Sequence, residues 1–336
     1  MTRARGMAVG AVLAALAAVA SGQLAPEAIP VPGGQSGAGF DDLAYSADLH
    51  RVIIPGAGTG TLLLVNPGDW RVEAFSGLSE KKTYQGGHDD GVTSADAGRG
   101  FLFATDRTAK RLLVIEPGSG RVVASTRLSG GPDYVRFVAP TGEVWVTEPD
   151  DEKIEVFRLE GNPPAPIHDG NVEVPGGPEA LVVDVARARA YSNLWKGTTV
   201  AISLRNRSVG GRWANGCEGS RGLALDPDRG FLFVGCAEGA GVALDAKTGK
   251  LLSRLRAGDG VDVIAYSPGL RHLYLPGGKS GTLSILSVGA GGALALAGEV
   301  PTAAGGHCAA ADATGHVYVC DPRGGKILVI PDRAAE

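Results

Sequence analysis

The amino-acid sequence predicts an all-β fold, a seven-bladed β-propeller built from four-stranded antiparallel blades. The cleanest copy of its repeated unit is Ser220–Ser253, in which apolar strands are separated by turns rich in Pro, Asp, Gly and Thr. Such strands and turns are typical of antiparallel hairpins. A single four-stranded sheet cannot bury both of its faces, whereas several sheets can when they stack around a common axis.

Seven copies of this unit follow one another along the chain. Aligned on the residue that starts the first strand, they recur at intervals of 41–48 residues. A period of about 40–50 residues with four strands per unit is typical of propeller blades. The seven start residues are Asp41, Asp89, Asp133, Glu179, Arg221, Asp262 and His307.

The last copy, His307–Asp332, contains only three strand patterns. An additional strand pattern lies at the other end of the chain, in Pro26–Gly34. We therefore predict that this N-terminal strand completes the last blade and closes the ring. Closure removes an exposed sheet edge, which would otherwise invite pairing with other chains.

The ends of the second strands share a short pattern of aromatic, apolar and polar residues. The segments are Phe103–Asp106 (FATD), Trp145–Glu148 (WVTE), Tyr191–Asn193 (YSN) and Tyr318–Asp321 (YVCD). They resemble the YVTN-type repeat of bacterial seven-bladed propellers, a family that includes YncE-like proteins and is more distantly similar to seven-bladed lactonases. The resemblance covers nearly all of the chain after the N-terminal segment and implies the propeller fold. It leaves the function open, because one fold hosts many activities.

The N-terminus has the pattern of a secretory signal peptide. Arg3 and Arg5 precede an apolar run from Met7 to Ala20, and small residues follow. We predict a signal peptide at residues 1–22 and one propeller domain at residues 23–336. The apolar run is short for a membrane span, and no later segment is apolar enough to cross a bilayer. The protein is therefore expected to be a periplasmic or secreted monomer.

The formal net charge is −4 at pH 7. Sequence-independent binding of nucleic acid depends on Lys and Arg contacts to phosphate, so this charge argues against a nucleic-acid partner. The expected partner is a small molecule or a peptide at the central channel.

The chain contains four cysteines, which allow three pairings. Cys217 and Cys236 flank the first hairpin of one copy, and Cys308 and Cys320 flank the first hairpin of another. Such positions face each other at one rim of an antiparallel hairpin. We predict the disulfides Cys217–Cys236 and Cys308–Cys320, which suit an oxidising compartment.

The seven start residues are expected to converge on the central channel, because a propeller directs its first strands toward the axis. The strand-two ends Asp106, Glu148, Asn193 and Asp321 are expected to surround the same mouth. Carboxylates crowded in this way repel one another unless a cation neutralises them, although they can also be separately solvated turn residues. The predicted ligand-binding residues are Asp41, His88, Asp89, Asp133 and Asp262.

Two further hypotheses use the same pocket. Oxygen ligands from Asp89, Asp133, Glu179 and Asn193 could hold Ca²⁺ or Mg²⁺. A catalytic group of Glu179, Arg221 and His307 could polarise a carbonyl and move a proton. The favoured function is an exported cell-envelope protein that binds a ligand or cation in this acidic pocket. The alternative, which the resemblance to lactonases and lyases implies, is a metal-assisted lactonase or lyase.

Overall fold

Seven four-stranded antiparallel sheets make up the computed structural model, which describes residues 26–81 and 83–332. The first strand of each sheet contacts the first strand of the next, and that of the seventh contacts that of the first. The sheets therefore form a closed ring, and the predicted seven-bladed β-propeller is confirmed. The predicted signal peptide at residues 1–22 lies outside the described residues.

The first four blades follow the chain in simple order, with each sheet formed by four consecutive strands. Blade 1 comprises β2 Ala44–Ser46, β3 Arg51–Pro55, β4 Leu62–Val65 and β5 Val72–Phe75. Blade 2 comprises β6 Val92–Gly98, β7 Phe101–Asp106, β8 Arg111–Ile115 and β9 Val122–Arg127. Blade 3 comprises β10 Val135–Val138, β11 Glu143–Glu148, β12 Lys153–Glu160 and β13 Ala165–Glu173. Blade 4 comprises β14 Val182–Asp184, β15 Arg189–Leu194, β16 Thr198–Ser203 and β17 Ser208–Ala214.

The last three blades include the one that closes the ring. Blade 5 comprises β18 Ser220–Asp226, β19 Phe231–Cys236, β20 Ala240–Asp245 and β21 Leu251–Arg256. Blade 6 comprises β22 Ala265–Ser267, β23 His272–Gly277, β24 Thr282–Val288 and β25 Leu294–Pro301. Blade 7 comprises β26 Ala309–Ala311, β27 His316–Asp321, β28 Lys326–Pro331 and the N-terminal β1 Glu27–Pro30. Short 3₁₀ turns occur at Gly34–Ser36, Pro149–Asp151 and Ala290–Gly292.

Ring closure depends on the pairing of β1 with β28. The two strands are antiparallel, with Glu27 opposite Val329 and Pro30 opposite Lys326. This pairing confirms that the N-terminal strand completes the last blade. It also covers the outer edge of β28, which would otherwise present unpaired backbone groups to solvent.

Burial within a blade explains why some strands are continuously apolar and others alternate. Every residue of β19, Phe231–Cys236, is buried, because this strand lies between neighbouring blades. The outermost strand β17, Ser208–Ala214, instead alternates between exposed and half-buried residues. Sheets covered on both faces favour apolar runs, and sheets with one solvated face favour alternation.

Both predicted disulfides are confirmed. Cys217 is bonded to Cys236, and Cys308 is bonded to Cys320, with Cα–Cα separations of 5.3 Å and 5.6 Å. Each bond links two segments of the same blade. In the described part of the chain, no helix is long and apolar enough to cross a membrane.

Candidate functional site

A cavity of about 490 Å³ opens at the face of the ring where the first strands begin and the second strands end. Six carboxyl groups line it, against two guanidinium groups and one imidazole. The charged lining residues are Asp41, Asp89, Asp133, Asp150, Glu179, Asp262, Arg107, Arg221 and His88. The repeat therefore brings residues from six consecutive blades into one acidic pocket.

The start residues line this cavity because each lies at or just before a first strand. Asp41, for example, precedes β2 by three residues, and Asp262 precedes β22 by the same number. Six of the seven predicted start residues belong to the lining, and His307 does not. The start position is therefore the feature of the repeat that builds the pocket.

Arg107 is the central cation of one side of the pocket. Its guanidinium lies 3.0 Å from Asp41 Oδ2 and 3.3 Å from Asp89 Oδ1, and it also donates to Asp133. Burial opposes the charged form of Arg107, but the carboxylates of Asp133 and Asp41 outweigh it and raise its pKa. One guanidinium thus contacts the carboxyl groups of three blade starts.

Asp41 also pairs with an imidazole. His88 Nδ1 lies 3.2 Å from Asp41 Oδ2, and the Asp41 side chain is almost completely buried. The charge of Asp41 raises the pKa of His88 to about 10. Burial alone would raise the pKa of Asp41, but His88 and Arg107 outweigh it and hold that pKa well below its usual range. His88 is therefore positively charged at neutral pH, and Asp41 is ionised.

The other side of the pocket contains carboxyl groups with less compensation. Burial, followed by the charges of Asp133 and Asp262, raises the pKa of Glu179 to about 9. Burial likewise raises the pKa of Asp262. The nearest cation to Glu179 is Arg221, whose Nη1 lies 3.6 Å from Glu179 Oε1. Glu179 is therefore protonated at neutral pH and can donate a proton or a hydrogen bond.

A second ion pair supports the blade starts from within the ring. The side chain of Asp42 is buried, and its two oxygens accept hydrogen bonds from Arg136 at 2.6 Å and 2.9 Å. Ser94 adds a hydroxyl donor to the same carboxylate. Because bidentate Arg–carboxylate pairs specify geometry, this contact aligns the starts of blades 1, 2 and 3.

His307 lies beside the cavity, with its ring centroid 5.7 Å from that of His88. Its Nδ1 is 2.6 Å from the Gly305 carbonyl oxygen, and its Nε2 is 3.1 Å from the Phe40 carbonyl oxygen. The proposed catalytic residues Glu179 and Arg221 therefore lie 3.6 Å apart within the cavity lining, whereas His307 is not part of that lining.

Asn193 does not line the cavity in the described structure. Its side chain is buried, donates to the Arg221 and Gly222 carbonyl oxygens, and accepts a hydrogen bond from Thr199. These contacts join blade 4 to blade 5. Asp89, Asp133 and Glu179 do not form a group of potential ligand atoms within 4.8 Å of one another among the described residues. The Ca²⁺ or Mg²⁺ site stays a prediction.

The other strand-two ends also serve the turns and not the pocket lining. Asp106 caps the backbone N–H of Ala109, and Asp321 caps that of Gly324. Glu148 is fully buried and accepts from the backbone N–H of Gly130. The expectation that these side chains surround the mouth of the channel is therefore wrong, because none of them belongs to the cavity lining.

The position that does reach the pocket is the first residue after the second strand. Arg107, Pro149 and Trp195 directly follow β7, β11 and β15, and all three line the cavity. Trp195 is exposed to 45%. Sequence reasoning missed this position, although a cation and an indole at equivalent points of two repeats were a usable signal.

Comparisons with known proteins show the fold of this chain. No family model and no curated protein matches it. Solved structures match over nearly its full length. The mitotic checkpoint complex gives a TM-score of 0.73 at 14% identity, covering 98% of both chains. The Myceliophteria thermophila Cps50 (Swd1) β-propeller domain gives 0.73 at 12% identity, covering 93% of this chain and 100% of that one. Kuenenia stuttgartiensis hydrazine synthase gives 0.71 at 12% identity, covering 90% and 97%.

These identities support a shared propeller fold and no shared activity. The resemblance to the YVTN-type repeat family stays a prediction, as does the similarity to lactonases. The propeller is a fold that typically serves as a scaffold for interactions.

Proposed function

We propose that this protein is an exported binding protein of the cell envelope whose central pocket takes a positively charged ligand. The observation that carries the proposal is the composition of the cavity lining, in which six carboxyl groups face two guanidinium groups and one imidazole. Burial and neighbouring carboxyl groups raise the pKa values of Glu179 and Asp262, and a bound cation favours the ionised forms of both groups, whereas an anion opposes them. The ligand is a cation, a small organic amine or a basic side chain of a peptide.

The exposed indole of Trp195 supports an organic cation. It lines the cavity together with Glu179 and Arg221. A cation near the face of an indole gains about 0.5–2 kcal/mol. A neighbouring carboxyl group that gives up its proton when the cation binds adds a charge-assisted hydrogen bond. An ammonium group has both kinds of partner here.

Calorimetric titration tests the proposal. The probes are butylamine, agmatine and a short lysine-containing peptide, with butyrate as the anionic comparison. We expect the cations to bind and butyrate not to bind, and we expect Asp262→Asn to weaken cation binding at least tenfold. The control is Asp228→Asn, which changes an exposed carboxylate in a blade 5 turn outside the cavity lining. Butyrate binding as tightly as butylamine would overturn the proposal.

Two disulfides support the export part of the proposal, because such bonds persist in oxidising compartments. Intact mass after alkylation without reduction provides the test. We expect protein recovered from the cell envelope to carry no alkylated cysteine. Four alkylated cysteines would contradict export to an oxidising compartment.

A second candidate function is a metal-assisted lactonase, and the pairing of Glu179 with Arg221 favours it. In that reaction water adds to the lactone carbonyl carbon, the ring C–O bond breaks, and the leaving oxygen takes the proton of Glu179. The proton that the added water releases returns Glu179 to its acid form. Arg221 would stabilise the developing oxyanion. A lactone panel tests this function: activity is expected to fall at least 100-fold in Glu179→Gln, and activity that survives the change would exclude this mechanism.

A further inference from the structure

Three side chains meet at the edge of the pocket where blades 2, 6 and 7 begin. They are His88, Asp262 and His307, and one potential ligand atom of each lies within 4.8 Å of the others. Two other groups of this kind occur among the described residues, but both contain disulfide-bonded cysteines. The His88 group is therefore the one that contains no disulfide-bonded member. A metal bound there would take the place of the proton that His88 carries at neutral pH.

The two imidazoles are already oriented by contacts of their Nδ1 atoms. His88 Nδ1 lies 3.2 Å from the carboxylate of Asp41, and His307 Nδ1 lies 2.6 Å from the Gly305 carbonyl oxygen. Histidines that bind metals commonly donate their second ring N–H to a carboxylate or a carbonyl oxygen. This arrangement leaves Nε2 of His88 as its ligand atom. His307 Nε2 lies 3.1 Å from the Phe40 carbonyl oxygen, and a metal would replace that contact.

Asp262 supplies a carboxyl group without a protein partner. Within the described residues it makes no side-chain hydrogen bond, and it forms no ion pair with either histidine. The Asp262 carboxyl group lies near both imidazoles without contacting either, so a space remains between the three potential ligand atoms. The Phe40 carbonyl oxygen, 3.1 Å from His307 Nε2, borders the same space.

We propose that His88, Asp262 and His307 bind a transition-metal dication of the Zn²⁺ type. Two imidazoles and one carboxylate suit zinc, cobalt or nickel, whereas Ca²⁺ and Mg²⁺ prefer oxygen ligands. Zinc–ligand bonds of about 2.0–2.1 Å place tetrahedral ligand atoms about 3.3 Å apart, so the three ligand atoms, which lie within 4.8 Å of one another, would move together by up to about 1.5 Å. The inference rests on the proposed binding of a positive charge in this pocket, and it names one cation and its ligands.

Calorimetry on the chelator-treated full chain tests the site with Zn²⁺, Co²⁺ and Ca²⁺ as probes. We expect one Zn²⁺ per chain, a visible absorption spectrum of bound Co²⁺, and no binding of Ca²⁺. His88→Gln and His307→Gln should each weaken Zn²⁺ binding at least tenfold. His168→Gln is the matched control, because His168 is an exposed histidine on blade 3 that lies 3.9 Å from a Glu155 carboxylate oxygen.

Melting curves of the metal-free variants show whether they are folded, and the Co²⁺ spectrum of Asp262→Asn gives an independent readout. Zn²⁺ affinity that is unchanged in both histidine variants, or equally reduced in His168→Gln, would overturn the inference. If butylamine binds and Zn²⁺ does not, the metal site is wrong and the proposed function stands. If neither binds, both fail.

Discussion

The two sides of the central pocket handle their carboxyl groups differently. On the Arg107 side, which comprises Asp41, Asp89, Asp133 and Arg107, one buried guanidinium contacts three carboxylates. On the Glu179 side, which comprises Glu179, Arg221 and Asp262, the closest charge pair is 3.6 Å apart. Glu179 there is protonated, and Asp262 has no side-chain partner among the described residues.

This difference separates a structural role from a binding role. A buried cation that is surrounded by carboxylates satisfies its partners and holds the blade starts together. Carboxyl groups that lack such a cation retain the capacity to bind one. We therefore assign stability to the Arg107 side and ligand binding to the Glu179 side.

Replacement of Arg107 should have the largest effect on the free energy of unfolding. Arg107→Met leaves the buried carboxyl group of Asp133 without its main counter-charge and leaves Asp41 with His88 alone, and we expect a loss of about 3–5 kcal/mol in unfolding free energy. Urea denaturation measures the loss. The control is Arg221→Met, with an expected loss below about 1 kcal/mol, because the Arg221 side chain is 32% exposed and its ion pair is long. Equal losses would contradict the division into two sides.

The pH dependence of stability should distinguish Glu179 from an ordinary surface carboxylate. Its pKa is about 9 in the folded protein against an ordinary value of 4.5, so the folded state binds the proton more tightly. The resulting stabilisation is complete below about pH 4.5 and is lost as the pH rises toward 9.

Glu179→Gln stays neutral at every pH, so the variant should gain stability over the original protein at pH 8.5 by more than about 1 kcal/mol, and not at pH 4. Denaturation at the two pH values measures this gain. Asp89→Asn, whose side chain is 87% exposed, should change stability by less than about 0.5 kcal/mol at both. A gain for Glu179→Gln that is independent of pH would show that Glu179 is ionised throughout.

Trp195 should affect binding and leave stability nearly unchanged. Its side chain is 45% exposed beside Glu179, so Trp195→Ala is expected to weaken butylamine binding about threefold to tenfold. The melting temperature should shift by no more than about 2 °C. Unaltered butylamine affinity would remove the indole from the binding site.

Much of the pocket could be predicted from the sequence, since six of the seven start residues line it. Arg107 was missed, because the pattern pointed to Asp106, the last residue of the second strand, one position earlier. The same offset misassigned Asn193, whose amide is used to join two blades. A shift of one residue reverses the side to which a strand residue points, so periodicity alone cannot decide such positions.

The sequence by itself determined the number of blades, the closure by the N-terminal strand and both disulfides. These features depend on strand periodicity, turn chemistry and repeat length, which are local properties of the chain. Only the tertiary structure decided which charges neutralise one another. Arg107 meets Asp41 across 66 positions, and His307 meets the Phe40 carbonyl oxygen across 267. Charge pairing depends on distance and burial in the closed ring, and neither is encoded in the spacing of the repeats.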